Sequence, residues 1–380
     1  MVSAPDQILV VNAGSATLKA GLYAASDQAA LAEWQSEWAP HEDDAPEAAL
    51  RALLDTVAPS RLIAVGHRVV HGGTRFTEPV VIDAEIRAAL GELTPLAPLH
   101  NGPALALIDA AARLLPGAPQ VAVFDTAFHA TLPPHAYTYA LPYTWYEEWG
   151  IRRFGFHGIS HASCSRRAAE LLGRPLAELK IVTCHLGSGC SLAAVAGGES
   201  IATTMGYTPL DGIVMATRPG ALDPGVLTSV LAHRHVTPEA LESILYQQSG
   251  LKGLAGGSGD MRDVLARRAS GDERAALAFD VYVARLREGI AAMAAALGGI
   301  AALAFTGGVG QHAHEVRAAA CAGFGWIGLE LDAEANRDAV SDSVISRAGS
   351  RVAVLVVRAR EAEAIARETA RVLGLAPKSE

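Results

Sequence analysis

Two arginines of this chain stand in sequence surroundings that suit the binding of an anion. Arg68 precedes the run Val-Val-His-Gly-Gly and Arg218 precedes Pro-Gly-Ala-Leu-Asp-Pro, so both lie in segments that are otherwise apolar and turn-forming. A structural arginine usually has an acidic residue at helical spacing, which neither segment offers. Because a guanidinium binds carboxylate and phosphate oxygens through two parallel hydrogen bonds, the pair predicts a small carboxylate or dianionic substrate. An ion pair between domains, to Asp211 or Asp223, is the structural alternative.

A histidine pair offers further polar groups. His157 and His161 have the spacing of a zinc-binding pair, but the residues between them lack the Glu of a His-Glu-x-x-His motif and include a glycine. Arg152 and Arg153 come shortly before the pair. These neighbours favour a hydrogen-bonding role near an anion over metal binding.

Glycine-rich turns recur in the chain. An apolar run, a small-residue turn and a second apolar run occupy residues 8–22, and the same pattern returns at 181–195. In this overlay Asn12-Ala-Gly-Ser15 meets His185-Leu-Gly-Ser188, and a third glycine cluster occurs at Gly307-Gly-Val-Gly310. Each of the first two patterns predicts a β-hairpin whose turn exposes backbone N–H groups to an anion. Two such hairpins in one chain predict two halves of a duplicated fold that bind one phosphate chain. Neither a P-loop nor a Gly-x-Gly-x-x-Gly motif is complete, which disfavours those two nucleotide-binding folds.

Composition limits the classes of partner. The chain has 380 residues, enough for two domains, and its formal net charge of −9 excludes the broad basic surface that nucleic acids or anionic membranes require. An anionic ligand must therefore be held by a few local cations, and Lys19 follows the first predicted turn. The four cysteines form no Cys-x-x-Cys pair and the first residues do not read as a signal peptide, so we expect a reduced, cytoplasmic protein.

Strands and helices alternate along the predicted chain, which is typical of an α/β protein. The predicted helices include 84–92, 103–114, 224–233, 272–297 and 361–373, and the predicted strands include 62–70, 120–125 and 301–310. Asp125 ends one of these strands, where open α/β sheets bind ligands. Residues 126–160 are rich in aromatic residues, Pro and His without clear periodicity, and are expected to form an ordered loop and cleft wall.

Taken together, the motifs of this chain resemble those of the acetate kinase family over nearly its whole length. They are Asn12-Ala-Gly-Ser15, Gly66-His-Arg-Val-Val-His-Gly-Gly73, Leu96-Ala-Pro-Leu-His-Asn101, Phe124-Asp-Thr-Ala-Phe-His129, Phe154-Gly-Phe-His-Gly158, Cys184-His-Leu-Gly187, Gly206-Tyr-Thr-Pro-Leu210, Thr217-Arg218, Leu222-Asp-Pro224, Asp260-Met-Arg262 and Ile365-Ala-Arg-Glu-Thr369. The resemblance implies an α/β fold of two ribonuclease-H-like domains, as in actin-like ATPases, with a cleft between them. The first domain would comprise residues 1–127 and 363–380. The second, 128–362, would bind nucleotide and form a homodimer.

The resemblance also implies which residues bind the nucleotide and its metal ion. Asn12 and Glu361 would organise Mg²⁺, with Mn²⁺ as an alternative, on the phosphates of ATP or ADP, close to Lys19. The residues implied for the second phosphate turn are His185, Leu186, Gly187, Ser188 and Gly189. Those implied for ribose and adenine are Asp260, Met261, Arg262, Gly308, Val309, Gly310, Gln311 and His312.

The transferred group and its acceptor are assigned by the same resemblance. Arg68 and Arg218 would clamp the acceptor carboxylate and the phosphoryl group, and His157 would donate to the phosphoryl oxygens in the transition state. Asp125 would orient Arg218 or the acceptor. The apolar pocket for the methyl group of the acid would consist of Val70, Leu99, Phe156 and Pro209.

The expected activity is reversible, Mg²⁺-dependent transfer of the ATP γ-phosphate to acetate, giving acetyl phosphate and ADP. The acceptor is ionised at pH 7 and needs no general base, but its repulsion by the γ-phosphate must be offset by arginine, protonated histidine and Mg²⁺. The partners are then small molecules, with neither nucleic acid nor membrane.

Several alternatives remain open. The adenine segment has Gly-Val-Gly-Gln-His where Gly-Ile-Gly-Glu-Asn is usual in the family, and Ser188 replaces a usual Asn. Another nucleoside triphosphate or pyrophosphate is therefore an alternative donor. Propionate is an alternative acid, and butyrate a weaker one. A protein of a different class, a non-enzymatic ATP-dependent clamp of the actin or chaperone type, would not need the Arg68, Asp125, His157 and Arg218 set.

Overall fold

The first predicted hairpin lies in the middle of one sheet. The structure is a computed structural model of the chain, and it describes residues 5–14, 17–37, 45–340 and 342–375. Strand β1 (Gln7–Ala13) pairs antiparallel with β2 (Thr17–Ala24), and Asn12 faces Lys19 in the register. All seven residues of β1 are buried, as expected for a strand covered on both faces. Ser15 lies outside the described residues.

The chain divides into two compact units, of which unit 1 comprises Met1–Ala130 and Arg360–Glu380. Its further strands are β3 (Ala30–Glu37), β4 (Leu62–Val69), β5 (Val80–Val81) and β6 (Gln120–Phe124). Its helices are α1 (Ala45–Val57), α2 (Ala84–Glu92), α3 (Pro98–Leu114) and the final helix α15 (Glu361–Val372). The strand order is β3-β2-β1-β4-β6-β5, with β4 parallel to β1 and to β6.

Unit 2, Thr131–Ala359, contains the second hairpin. Its strands are β7 (Lys180–Leu186), β8 (Cys190–Ala196), β9 (Glu199–Thr203), β10 (Ala302–Thr306), β11 (Ser343–Val344) and β12 (Ala353–Val356). Its first helices are α4 (Pro134–Tyr137), α5 (Tyr143–Trp149), α6 (Gly158–Leu172), α7 (Pro224–His233), α8 (Pro238–Gln247) and α9 (Gly250–Ala255). The remaining helices are α10 (Met261–Ala269), α11 (Glu273–Ala296), α12 (Gly307–His312), α13 (His314–Cys321) and α14 (Ala333–Asp338).

The two sheets have the same construction. The second sheet is ordered β11-β12-β10-β7-β8-β9, so β7, β8 and β9 repeat the antiparallel β1, β2 and β3, and β10 and β12 repeat the parallel β4 and β6. This arrangement confirms the duplicated α/β fold of two ribonuclease-H-like domains. No helix within the described ranges is long and apolar enough to cross a membrane.

The boundaries of the units differ by three residues from the predicted domain limits. Unit 1 ends at Ala130 rather than residue 127, and resumes at Arg360 rather than residue 363. Glu361, which the prediction placed in the second domain, therefore belongs to unit 1. The reason is that it begins α15, and this helix packs along β1, β4 and β6.

Three predicted elements need correction. The expected loop over 126–160 contains the short helices α4 and α5, and α3 begins at Pro98 rather than at residue 103. The strand predicted over 301–310 ends at Thr306, and the glycine run that follows is helical. Gly307 has a φ of +77°, and a Cβ on it would lie 2.5 Å from the carbonyl oxygen of Leu186. The backbone therefore turns out of the strand at a position that only glycine fits.

Helix α15 approaches β4 closely at one glycine. A Cβ on Gly66 would overlap the Thr369 hydroxyl and lie 2.9 Å from Cγ2 of Ile365, and both of these side chains are completely buried. The hydroxyl of Thr369 donates to the carbonyl of Ile365, which fixes it in the contact. The absence of a side chain at residue 66 thus allows helix α15, with Glu361 at its first turn, to rest on the sheet.

We expect Gly66→Ala to lower the free energy of unfolding by about 1–3 kcal/mol, because the added methyl group overpacks this contact. The control is Gly102→Ala in α3, where a Cβ has no neighbour within 4 Å. That substitution should leave stability unchanged or raise it by up to about 1 kcal/mol. Urea unfolding of both variants measures the difference, and equal stabilities would contradict the packing described.

Candidate active site

Arg68 and Asp125 form a two-pronged ion pair in unit 1. Arg68 lies on β4, and Asp125 directly follows the neighbouring parallel strand β6. The Nε atom of Arg68 donates to both carboxylate oxygens, at 3.1 and 3.0 Å, and Nη2 donates to Oδ2. The side chain of Asp125 is only 2% exposed and that of Arg68 14%. The pair therefore places a fixed cation at the carboxyl edge of the sheet.

Sequence reasoning did not find this pair. The prediction considered carboxylates at helical spacing and gave Asp125 the task of orienting Arg218 or the acceptor. The partner of Asp125 is Arg68, 57 residues away in sequence, because parallel strands bring distant residues to the same sheet edge. The orientation of Arg218 or the acceptor by Asp125 stays a prediction.

Two more polar side chains join this pair, and we call the four residues the arginine-aspartate cluster. Nη1 of Arg68 donates to Oδ1 of Asn12 at 3.2 Å, and Nδ2 of Asn12 donates to Oε2 of Glu361 at 3.2 Å. Burial alone would lower the pKa of the Arg68 guanidinium, but the negative charges of Asp125 and Glu361 outweigh burial and raise that pKa. Arg68 is thus permanently charged.

The same cluster fits a magnesium ion that takes most of its ligands from elsewhere. Mg²⁺ is commonly held by one or two carboxylates together with water and substrate phosphates. The Glu361 carboxylate and the amide of Asn12 lie side by side, whereas no group of three or more His, Cys, Asp or Glu side chains in the described ranges could hold a metal alone. The donor set therefore fits a Mg²⁺ ion whose remaining ligands are water and phosphate oxygens.

The remaining predicted residues of unit 1 lie around the cluster's strands. Lys19 is exposed on β2 opposite Asn12, and Val70 is buried just after β4. The side chain of Leu99 lies outside the described residues. His67, beside Arg68 in sequence, is buried, and burial lowers its pKa to about 4 although a hydrogen bond with Gln120 partly opposes this. It is therefore neutral at pH 7.

In unit 2, the turn between β7 and β8 is tightly fixed. The N–H of Gly187 donates to the carbonyl of Gly189 at 3.0 Å, and the carbonyl of Ser188 accepts from the N–H of Ala216 at 3.1 Å. The two preceding residues, His185 and Leu186, are buried at the end of β7. The turn predicted to bind phosphate is thus closed by its own hydrogen bond and tied to the segment that carries Arg218.

His157 and Arg218 converge on this turn. A Cβ on Gly189 would lie 2.8 Å from Nη2 of Arg218 and 3.1 Å from Nε2 of His157. His157 has a φ of +57° and stands immediately before α6, while Nη1 of Arg218 donates to the carbonyl of Pro209 at 2.9 Å. We call His157, Gly187–Gly189 and Arg218 the histidine-arginine turn. At this turn the side chains of His157 and Arg218 approach backbone that is uncovered because Gly189 has no side chain.

The carboxylates proposed as structural partners of Arg218 have other partners. Asp211 pairs with Arg153 at 3.2 Å, and Asp223 accepts from the N–H of Gly225 at 2.8 Å as the N-cap of α7. The two arginine segments therefore differ. Arg68 pairs with the buried carboxylate of Asp125, whereas Nη1 of Arg218 donates to the backbone carbonyl of Pro209.

The chain is similar to proteins of one known family over nearly its whole length. A model of the acetokinase family matches residues 7–367 of the chain. The chain belongs to the acetokinase family. The acetate kinase of Nostoc punctiforme is 44% identical over 403 aligned residues, which cover 97% of this chain and 99% of that protein. The acetate kinase of Gloeobacter violaceus is 45% identical, with 95% and 98% covered.

Two solved structures of this kind are similar over nearly their whole length. The crystal structure of Porphyromonas gingivalis acetate kinase has a TM-score of 0.88 and 35% identity, and that of a propionate kinase from Francisella tularensis has 0.90 and 33%. Each comparison covers 97% of this chain and 100% of the other. The resemblance inferred from the motifs is thus confirmed.

In this acetokinase the segment expected to bind adenine is the short helix α12. Its residue Gly308 is exposed, and the buried Arg317 donates to the carbonyls of Gly310 at 3.0 Å and Gln311 at 2.7 Å. Arg317 also donates to Oδ1 of Asn336 at 2.8 Å. The sequence analysis found neither Arg317 nor Asn336, because only the fold brings them to the glycine segment. Arg317, which is also bonded to Asn336, fixes the carbonyls at the end of a helix whose glycines have a poor intrinsic helix propensity.

Four further residues that are predicted to contact the nucleotide or the acid belong to unit 2, namely Asp260, Met261, Phe156 and Pro209. Asp260 caps α10 by accepting from the N–H of Arg262 at 2.8 Å, and its carboxylate also pairs with the Arg262 guanidinium. Met261 and Phe156 are 3% and 1% exposed, so both side chains are largely core residues. Pro209 accepts from Arg218 through its carbonyl.

We expect Asp125→Asn to cost about 3–5 kcal/mol of unfolding free energy, because it leaves the buried charge of Arg68 without its partner. The control is Asp109→Asn, which breaks the Arg87–Asp109 pair whose side chains are 32% and 42% exposed. An exposed pair contributes at most about 1 kcal/mol. Urea unfolding of both variants decides the matter. Equal losses would show that Arg68 does not depend on Asp125.

Proposed function

We propose that the chain is an acetate kinase, which reversibly transfers the γ-phosphoryl group of ATP to acetate and forms acetyl phosphate and ADP. Membership of the acetokinase family supports the reaction class, and the relatives named above carry the name acetate kinase. The observation that carries the proposal is the convergence of His157 Nε2 and Arg218 Nη2 on Gly189. A phosphoryl group at this turn would meet a guanidinium, an imidazole and backbone N–H groups together.

The chemistry requires such donors and little else. Acetate is ionised at pH 7, since a carboxylic acid has a pKa of about 4–5, so the acceptor needs no general base. The main cost is the repulsion between the carboxylate and the γ-phosphate, which amounts to several kcal/mol at close range. Fixed cations and hydrogen-bond donors that already point at the transferred group offset this cost without reorganising.

Each cluster has a proposed part in the transfer. Arg218 and His157 bind the oxygens of the transferring phosphoryl group, and Arg68 binds the acceptor carboxylate. Asp125 fixes the Arg68 guanidinium through the two-pronged ion pair. The methyl group of the acid is proposed to contact Val70, Leu99, Phe156 and Pro209.

The nucleotide is proposed to lie along the two hairpin turns, with its base near Gly308–His312 and its ribose near Asp260–Arg262. Mg²⁺, or Mn²⁺ in its place, would be held by Asn12 and Glu361. When bound, it would neutralise charge on the phosphate oxygens. Lys19 lies opposite Asn12 in the β1–β2 register and is proposed to contact the same phosphates.

Propionate is a second candidate acid. One of the similar solved structures is described as a propionate kinase, and one methylene group in an apolar pocket changes binding by only about 1–3 kcal/mol. The sequence of the adenine segment keeps other nucleoside triphosphates or pyrophosphate as alternative donors.

We also propose a cytoplasmic homodimer that associates through unit 2. Helices α7 and α8 contain no buried residue, and apolar side chains on and beside them are 36–50% exposed. These are Leu222, Val226, Leu231 and Ile244. Exposed apolar side chains grouped on neighbouring helices are typical of a protein interface. Sedimentation of the purified protein tests the assembly.

The function is tested by trapping acyl phosphate as its hydroxamate, with Mg²⁺-ATP and acetate, propionate or butyrate in parallel. We expect acetate or propionate to exceed butyrate. Product without preference for the short acids would contradict the proposed pocket. ATP hydrolysis that is indifferent to every carboxylate would instead favour the ATP-dependent clamp.

We expect Arg218→Ala to lower kcat at least about 10³-fold with little change in stability, as for other cationic clamps on transferring phosphoryl groups. Arg285→Ala is the matched control, because that side chain is 57% exposed and pairs with a neighbouring surface carboxylate within α11. The control should retain its turnover. Near-normal kcat in Arg218→Ala would refute the assignment.

A further inference from the structure

A chain of buried polar side chains extends from His157 into the interior of unit 2. Nδ1 of His157 lies 2.9 Å from Oγ of Ser191, and the same hydroxyl lies 2.8 Å from Nε2 of His161. Nδ1 of His161 lies 2.7 Å from Oγ1 of Thr183. Ser191, His161 and Thr183 are completely buried. Ser191 and Thr183 are not among the predicted site residues, and His161 is predicted only to form hydrogen bonds near an anion together with His157.

The hydroxyl of Ser191 links the protonation of the two rings. It has one proton, so between two ring nitrogens it donates to one and accepts from the other. If it accepts from Nδ1–H of His157, it donates to Nε2 of His161, whose own proton then lies on Nδ1. If it donates to Nδ1 of His157, it accepts from Nε2–H of His161. For neutral rings, the tautomer of His157 therefore follows that of His161.

Thr183 selects between these two directions. Its hydroxyl proton can go to Nδ1 of His161, 2.7 Å away, or to the carbonyl of Ala193, 3.4 Å away. Bonds from hydroxyl groups to oxygen are normally 2.5–3.0 Å long, so the contact with Ala193 is a poor one. The proton is better placed on His161, which then carries its own proton on Nε2.

We infer that Thr183, His161 and Ser191 are positioning residues that hold His157 as the neutral tautomer protonated at Nε2. In this arrangement Thr183 donates to His161, His161 to Ser191 and Ser191 to His157. The proton of His157 then lies on Nε2. This atom and Cε1 would both lie 3.1 Å from a Cβ on Gly189, and Nη2 of Arg218 would lie 2.8 Å from the same Cβ. The opposite direction would present a lone pair to the same position, where an oxygen of a phosphoryl group would be repelled.

The surroundings of His157 agree with a neutral ring. Arg218 Nη2 and His157 Nε2 approach the same point on Gly189, and the ring stacks on His185 with centroids 4.3 Å apart. The charge of Arg218 disfavours a second positive charge there. A protonated histidine is the donor expected from the sequence. A neutral Nε2–H donor makes the same hydrogen bond without adding to the charge beside the arginine.

The importance of this tautomer for catalysis rests on the proposed function, whereas the tautomer itself does not. Long-range ¹H–¹⁵N spectra of ¹⁵N-histidine-labelled protein at pH 7.5 report it directly, with the rings assigned by His157→Asn and His161→Asn. We expect His157 and His161 to be protonated at Nε2 and unprotonated at Nδ1. A proton on Nδ1 of His157, whether in the neutral ring or in the imidazolium, would overturn the inference.

A pair of substitutions at Thr183 tests the consequence for turnover. Thr183→Val has nearly the same shape but no proton to donate, whereas Thr183→Ser keeps the donor. We expect Thr183→Val to lower kcat about 10-fold, because a preorganised hydrogen-bond donor contributes about 10²–10³ in kcat. The KM values for acid and nucleotide should change less than about twofold. Its His157 should show a mixture of tautomers, and the serine variant should restore both kcat and the single tautomer.

Unchanged kcat together with an unchanged His157 tautomer in Thr183→Val would overturn the role of Thr183. If the valine variant does not fold, the spectra of the wild-type and serine proteins still decide the tautomer. If the wild-type protein forms no acyl phosphate, the proposed function fails, and the spectra decide the inference separately.

Discussion

Repulsion between two anions is the constraint on which this structure depends. In the proposed reaction a carboxylate and a polyphosphate are brought together by a chain whose net charge is −9, so the positive groups proposed to bind them have to be few and fixed. Arg68 is fixed by a buried carboxylate, and Arg218 by a backbone carbonyl beside a closed turn. In both cases groups of the protein itself orient the guanidinium, which is what electrostatic preorganisation requires.

The duplicated fold explains how two such arrangements arise in one chain. Each sheet begins with a hairpin whose strands continue into a meander, followed by parallel strands on the other side. The parallel strands end at the same edge as the hairpin's first strand, so side chains at those ends gather there. Unit 1 uses this edge for Asn12, Arg68 and Asp125. Unit 2 uses the corresponding hairpin for a glycine turn that His157 and Arg218 approach.

How much of the fold can be predicted from the sequence depends on how far apart in the chain the interacting residues lie. The hairpins and the helices over 84–92 and 224–233 follow from local patterns of apolar and turn residues, and the structure has them at those positions. The sequence does not predict helix α5, because its aromatic residues show no clear helical period. It predicts the glycine run of α12 as part of a strand, but this run is helical although glycine is a poor helix former. Arg317, from a later helix, binds its last carbonyls.

The candidate site shows the same division. The types of its residues, two arginines, a histidine and glycine turns, could be recognised along the chain. Their partners could not, because Asp125 meets Arg68 across adjacent strands and His161 meets Ser191 between a helix and a strand. Such contacts join residues that are far apart in the sequence, so no regular spacing along the chain reveals them.

The account is tested most directly by locating the transferred group. A crystal structure with ADP, acetate and a metal fluoride that imitates the phosphoryl group would show where it lies. We predict the fluoride above the Gly187–Gly189 turn, within about 2.7–3.2 Å of both Nε2 of His157 and the guanidinium of Arg218. A fluoride bound on the nucleotide but beyond hydrogen-bond distance of both side chains would contradict the account.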